Sequence, residues 1–225
     1  MLQFYFIRHG QSVNNLLYDT TGSDSGRSCD PELTETGYRQ AELLGNYLHQ
    51  ENIHLTHLYT SLMVRAVATG SLVADRLSLP LVAWPDLHEE GGIYLNNEQG
   101  DHVGQPGKDR AYFEEHYPGL VLPETLNSSG WWNRPYEFSA ERPARAQRFL
   151  QALFSLHGGT DHRLAVISHG GFYNLVLAIL LNLSKERRLW FSLQNTAITR
   201  IDFYPDRTDF VYHNRVNFLP RELIT

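Results

Sequence analysis

The chain has 225 residues, 42% of them hydrophobic and 20% charged, the composition of a globular protein with room for a sizeable core and no fibrous or disordered bias. Its net charge of −6 argues against broad electrostatic binding to a nucleic-acid backbone or an anionic membrane. The single cysteine, Cys29, excludes an intrachain disulfide and any zinc site that needs two or four cysteines. The longest purely apolar run, residues 175–181, is far shorter than the ~20 residues of a membrane-spanning helix. The apolar start at residues 4–7 is broken by Arg8 and lacks the regions of a signal peptide, so a cytoplasmic protein is expected.

Residues 3–8 form a β-branched and aromatic run that stops at His9-Gly10, which predicts a buried strand ending in a turn. A polar loop is expected over residues 16–30. Thr34 is placed to cap a helix that carries Ala41, Leu44, Tyr47 and Leu48 at helical spacing and ends near Gln50. Residues 54–60 read as a second strand, and Ser61 opens an amphipathic helix through Val64, Val67, Leu72 and Val73 that ends before Pro80. A third strand over 81–84 is closed by Pro85.

Residues 93–137 are rich in Gly, Pro, Asn and aromatics, with one short helix over 109–116, and read as an insertion within one domain spanning 1–225. The spacing of Ala146, Phe149, Leu150 and Leu153 predicts a helix within 139–156. Residues 164–168 are the strongest strand signal and run into His169-Gly170-Gly171 and an apolar helix over 172–181. Residues 197–204 and 209–213 form an edge hairpin about Pro205-Asp206. Alternating strands and helices imply an α/β fold, a three-layer α/β/α sandwich with a mainly parallel central sheet covered on both faces. Ligands of such sheets bind at the carboxyl ends of strands near a topological switch point, which directs attention to Arg8-His9-Gly10 and His169-Gly170-Gly171.

Arg8-His9-Gly10 after a buried strand presents a nucleophile-capable imidazole beside a permanent cation, with a glycine that permits close backbone approach. It is followed in order by Gln11-Ser12-Val13-Asn14-Asn15, Leu33-Thr34-Glu35-Thr36-Gly37 with Gln40-Ala41, Ser61-Leu62-Met63-Val64-Arg65-Ala66, Leu87-His88-Glu89 and Ser168-His169-Gly170-Gly171. This ordered set resembles the histidine phosphatase superfamily, which includes the cofactor-dependent phosphoglycerate mutases, over about residues 3–90 and 139–203. The resemblance implies a phosphoglycerate mutase-like fold and a catalytic His9 that is transiently phosphorylated. It implies that Arg8, Asn15, Arg65, His169 and the backbone N–H of Gly170 hold the phosphoryl group, and that Glu89 is the proton donor, with Glu90 as a neighbouring alternative. Two guanidiniums and a second imidazole suit the equatorial oxygens of a transferring phosphoryl group. The attacking nitrogen of His9 must be unprotonated, so its other ring nitrogen is expected to donate to a backbone carbonyl.

The reading this resemblance implies is phosphoryl transfer to His9 and then to water, the expected activity being that of a metal-independent phosphomonoesterase with a small phosphate ester as its partner. A phosphoglycerate mutase is the first alternative and a catalytically silent binding module the second. The Arg- and Tyr-bearing insert expected of the mutases is not recognisable. Substrate choice is expected to lie in residues 93–137, where Lys108, Arg110 and Arg134 are candidates to meet a second anionic group, and where Trp131 and Trp132 either wall the pocket or pin the loop. His54 and His57 lie in a predicted strand with no carboxylate or cysteine beside them, so no metal or cofactor is expected. Oligomeric state is not legible.

Overall fold

The central strand, β1 (Leu2–Arg8), buries both faces because successive side chains point to opposite sides of a sheet. Leu2, Phe4 and Phe6 join one apolar cluster and Tyr5 and Ile7 another. The structure is a computed structural model that describes residues 1–183 and 189–225. After β1 come α1 (Val13–Thr21), α2 (Glu35–Gln50), β2 (His57–Thr60), α3 (Val64–Leu77), β3 (Leu81–Ala83), β4 (Tyr94–Asn96), β5 (His102–Gly104), α4 (Arg110–His116), β6 (Leu120–Val121), α5 (Arg142–His157), β7 (Arg163–Ser168), α6 (Gly170–Leu180), β8 (Ile198–Phe203) and β9 (Thr208–Arg215).

Among the described residues one sheet of seven strands has the order β6-β3-β2-β7-β1-β8-β9. The first five strands are parallel, and β8 and β9 continue the sheet antiparallel. The α2–α3 layer contributes Leu44, Leu48, Val67 and Val73 to one core, over Ile7 and Ile167. The α5–α6 layer contributes Phe149, Leu153, Phe172 and Tyr173 to the other, over Phe4, Phe6 and Val166. The expected three-layer sandwich is therefore present.

The chain leaving β1 crosses to β2 on one side of the α2–α3 layer, whereas the chain leaving β7 crosses through α6 to β8, on the other side of β1. The crossovers diverge between β1 and β7, and this is the switch point at which parallel sheets open a crevice. Arg8 and Ser168 lie side by side there.

Several local expectations are corrected. Residues 16–21 of the expected polar loop belong to α1, because Ser12 and Asn15 make a capping box and Gly22 ends the helix in a left-handed conformation. The strand expected from residue 54 begins only at His57, and α3 begins at Val64 instead of Ser61. Helix α6 begins at Gly170, two residues before the expected start. The segment 93–137 holds more than one short helix: β4 and β5 pair as a hairpin, and β6 joins the main sheet beside β3. Such short strands carry too little periodicity to stand out from a Gly/Pro-rich background.

Thr34 caps α2 as expected, accepting the Gly37 N–H at 3.0 Å. The same turn shows why glycine is required in two places. A Cβ on Gly37 would collide with the backbone carbonyl of Gln11, and one on Gly10 with the carbonyl of Gly37. The loop after β1 and the first turn of α2 are thus pressed together backbone to backbone. At an unconstrained helix position Gly→Ala stabilises by about 1 kcal/mol. Here Gly37→Ala is expected to destabilise by about 1–3 kcal/mol, read from urea unfolding. A variant as stable as the parent would contradict the contact.

Candidate active site

His9 follows the last residue of β1 and is 3% exposed. Its backbone is fixed from both neighbours: its N–H donates to Ser168 O at 2.9 Å, and its carbonyl accepts the Asn195 side-chain amide at 2.9 Å. The ring lies with Nδ1 2.6 Å from Gly10 O. A carbonyl only accepts, so Nδ1 carries the proton and Nε2 presents a lone pair. The expected tautomer is therefore built in. Arg65 Nε donates to that lone pair at 3.1 Å. Burial, then the Arg65 and Arg8 guanidiniums, hold His9 well below the usual imidazole range, so the ring is neutral at neutral pH.

Arg65 sits in the first turn of α3 and is buried. Its other contacts are Met63 Sδ at 3.1 Å and Asp30 Oδ1 at 3.9 Å. Asp30 also accepts the Val64 N–H at 3.0 Å, and so ties Arg65 to the N-terminus of α3. Burial pushes Asp30 up to about 6, against the pull of Arg65. Arg8 donates from one terminal nitrogen to Leu193 O at 2.6 Å. Its Nε is buried without a hydrogen-bond partner among the described residues.

His169, at the end of β7, is 0% exposed, and its ring centroid lies 5.0 Å from that of His9. Ser61 Oγ is 2.7 Å from its Nε2, while Nδ1 has no partner among the described residues. When Ser61 donates to Nε2, Nδ1–H is left as an unpaired donor. A buried unpaired donor costs about 1–3 kcal/mol, and Arg8 Nε and His169 Nδ1 are two such groups flanking one imidazole. Gly170 begins α6, so its N–H has no acceptor within the helix.

Glu89 also belongs to this helix end. Its carboxylate accepts N–H bonds from Gly171 at 3.1 Å, Phe172 at 3.0 Å and Glu90 at 2.8 Å. Every group on its oxygens is a donor. Glu90 instead pairs with Arg142 at 2.7 Å, and burial raises it, opposed by Arg142. Both carboxylates border the same cleft, but among the described residues only Glu89 accepts from the N-terminus of α6. Arg145 sets that loop: 1% exposed, it grips Glu137 with two bonds of 2.6 and 2.8 Å and donates to Asp86 O and His88 O. A cleft of about 410 Å³ beside Arg8, Glu89, Gly170 and Gly171 is walled by Trp190, Phe191 and Leu193. Asn174 anchors that wall by bonding both the N–H and the carbonyl of Phe191.

Asn15 also takes part in the capping box of α1. Its Oδ1 accepts from Ser12 N at 3.0 Å and Ser12 Oγ at 2.9 Å, with Asn195 Nδ2 at 3.4 Å, so it caps α1 and leaves its amide nitrogen for a ligand. The cations of 93–137 are also committed. Arg110 donates to Leu126 O and Pro123 O and pairs with Glu114, Lys108 lies over Tyr112, and Arg134 stacks on Trp132 and reaches His88. Trp132 is buried with Met63 and Ile93, and Trp131 packs against the same cluster. The tryptophans pin the segment to the body. Sequence reasoning missed Asp30, Ser61, Arg145 and Asn195 as supports of the site. The only hint was Asp30 preceding a proline, since each finds its partner through distant contacts.

The sheet's switch point, the imidazole with a fixed tautomer and the two buried guanidiniums define a three-layer α/β site built for an anionic group. The sequence profile of the histidine phosphatase superfamily (branch 1) matches residues 4–216, and the chain belongs to this superfamily. A relative from Yersinia pestis (strain Pestoides F), named "Probable phosphoglycerate mutase GpmB", is 28% identical over 204 residues, covering 90% of this chain and 86% of that protein. The crystal structure of the ecdysone phosphate phosphatase from Bombix mori in complex with tungstate superposes with a TM-score of 0.66 at 18% identity, covering 95% of this chain and 93% of that one. The phosphoserine phosphatase from Entamoeba histolytica in complex with 3-phosphoglyceric acid gives a TM-score of 0.63 at 20% identity, covering 98% and 100%. At these identities the solved structures establish the shared fold.

The buried histidines make stability depend on pH. Burial is the leading cause that holds His9, His88 and His169 well below the ordinary imidazole value of 6.5. Below that value the unfolded chain takes up protons that the folded chain refuses, so stability is intact above 6.5 and falls as pH drops beneath it. Each such group contributes a slope of up to about 1.4 kcal/mol per pH unit. The urea midpoint is expected to fall steeply between pH 6.5 and about 5, and a flat profile would contradict the buried neutral state.

Proposed function

We propose that the protein is a phosphomonoester hydrolase that passes a phosphoryl group through His9 to water, acting on a small phosphorylated metabolite in the cytoplasm. The observation that carries this reading is the 2.6 Å contact between His9 Nδ1 and Gly10 O, which leaves Nε2 as the nucleophile. Arg65 gives up its bond to Nε2 when substrate enters and turns to a phosphoryl oxygen. Arg8 Nε, the Asn15 amide, His169 Nδ1 and the Gly170 N–H meet the remaining oxygens, so the transition-state charge falls on donors already fixed in place.

The Nε2 lone pair forms the N–P bond as the ester P–O bond breaks; the leaving oxygen keeps the electron pair of that bond and takes a proton from Glu89, which enters the step in its protonated form. Glu89, now a carboxylate, accepts a proton from water as the water oxygen attacks phosphorus. The N–P bond pair returns to Nε2 and orthophosphate leaves. The net reaction is ester plus water to alcohol plus phosphate. No step is assigned to a metal or cofactor.

A second reading, a phosphoglycerate mutase, is favoured by the relative named for that activity at 28% identity. It uses the same phosphohistidine but returns the group to the substrate. The hydrolase reading is preferred because the Arg- and Tyr-bearing insert of the mutases is not recognisable and, of the cations of 93–137, Arg110 is engaged by Glu114 and two carbonyls while Lys108 and Arg134 lie on aromatic rings. A silent binding module would have no use for a nucleophile held in one tautomer.

Phosphate release from a panel that includes p-nitrophenyl phosphate and 3-phosphoglycerate is expected in the wild type and abolished in His9→Ala, with 2-phosphoglycerate formation slower than release. Isomerisation outpacing release would establish the mutase. Glu89→Gln is expected to cost about 10²–10⁴-fold on alkyl phosphates and far less on p-nitrophenyl phosphate, whose leaving group needs no proton. Equal losses on both would remove Glu89 from the donor role.

A further inference from the structure

At the opposite end of the sheet from the cleft, three histidines that are distant in sequence converge. His57 begins β2, His157 ends α5, and His162 precedes β7. Their ring centroids are 4.5 to 5.2 Å apart, and one ligand atom from each lies within 4.8 Å of the other two. His57 had no ligating neighbour in the sequence; the fold supplies two.

The hydrogen bonds around the cluster orient the rings as metal ligands are oriented. Thr56 Oγ1 donates to Arg163 O at 3.1 Å and lies 2.8 Å from His57 Nδ1, so it receives Nδ1–H and leaves the lone pair on Nε2. Tyr59 OH is 3.0 Å from His157 Nε2 and can accept Nε2–H as the outer partner of a ligating ring, with Nδ1 facing the cluster. His157 Nδ1 and His162 Nδ1 are 2.9 Å apart, two basic nitrogens that share one proton. The turn between these histidines is braced by Thr160, which donates to His157 O at 2.7 Å and accepts the His162 N–H at 3.2 Å. His157 is 3% exposed, while His57 and His162 are partly open to solvent and provide the entry path.

We propose that His57 Nε2, His157 Nδ1 and His162 Nδ1 form a binding site for one borderline divalent transition-metal ion of the zinc class, with water as the fourth ligand. Three imidazoles and a solvent position are an established donor set for such ions. A metal–nitrogen bond of about 2.0–2.1 Å sets tetrahedral ligand atoms about 3.4 Å apart; His157 Nδ1 and His162 Nδ1 are 2.9 Å apart and a ring nitrogen of each of the three histidines lies within 4.8 Å of the others, so small rotations of the partly open rings complete the geometry. The ion displaces the proton shared by His157 and His162, so binding releases that proton. It ties the end of α5 to two adjacent strands. The site lies about 23 Å from His169, seven residues of β-strand rise from His162, so its role is structural and independent of the phosphoryl chemistry.

The test uses the full chain, stripped of metal with a chelator and titrated with Zn²⁺ by calorimetry and thermal unfolding. Co²⁺ absorption serves as a second readout of ligation in the unaltered protein. One equivalent is expected to bind, raise the unfolding temperature and, for Co²⁺, give intense visible bands of a four-coordinate site. His57→Gln and His162→Gln, which alter partly exposed side chains, are each expected to weaken binding at least about 100-fold, with p-nitrophenyl phosphate hydrolysis unchanged. Absence of a one-equivalent site in the wild type, or binding of equal strength in both variants, overturns the proposal.

Discussion

The contact between His9 Nδ1 and its neighbour's carbonyl is the interaction on which the rest of the site depends. It is a local bond, 2.6 Å long and one residue in span, yet it is possible only because the backbone at this point is held from all sides. Ser168 O, Asn195 and Thr69 Oγ1 anchor His9 and Gly10, and the turn of α2 presses on Gly10 through Gly37. The central position of β1 between β7 and β8 makes that anchoring available. The tautomer of a single ring is thus a consequence of sheet topology.

Around this ring the structure keeps a polar group set that is costly without a ligand. Burial lowers both Arg8 and Arg65 from the ordinary guanidinium value, offset by Glu89 for Arg8 and by Asp30 and Glu89 for Arg65. Arg8 Nε and His169 Nδ1 lack partners among the described residues. In a low-dielectric pocket such unpaired donors favour an anion that accepts from all of them together. The outer contacts through Asp30, Ser61 and Arg145 prevent the donors from turning inward to satisfy themselves, which is the preorganisation that electrostatic catalysis requires.

The sequence made much of this legible because the chemistry sits on short, rigid junctions. Arg8-His9-Gly10 and His169-Gly170-Gly171 each end a continuous apolar run, and a period-2 strand buried on both faces is a strong signal. Thr34 was legible as a cap because capping acts over three residues. The supports were not. Asp30 acts on Arg65, Ser61 on His169 and Arg145 on the loop before Glu89, all through contacts that no local pattern encodes. Helix α1 was hidden because none of its residues is buried, leaving only the capping pair Ser12 and Asn15 as a sign. The same limit applied to the histidines. His57 looked isolated until β2, α5 and β7 were assembled side by side.

The most direct test of the central claim is the position of the phosphoryl group on His9. Protein mixed with a ³²P-labelled substrate and quenched in base, where phosphohistidine survives, yields a labelled peptide whose phosphorus position is assigned by NMR. With Nδ1 locked to Gly10 O, the label is expected on Nε2 of His9 alone. Label on Nδ1, or on another residue, would contradict the account.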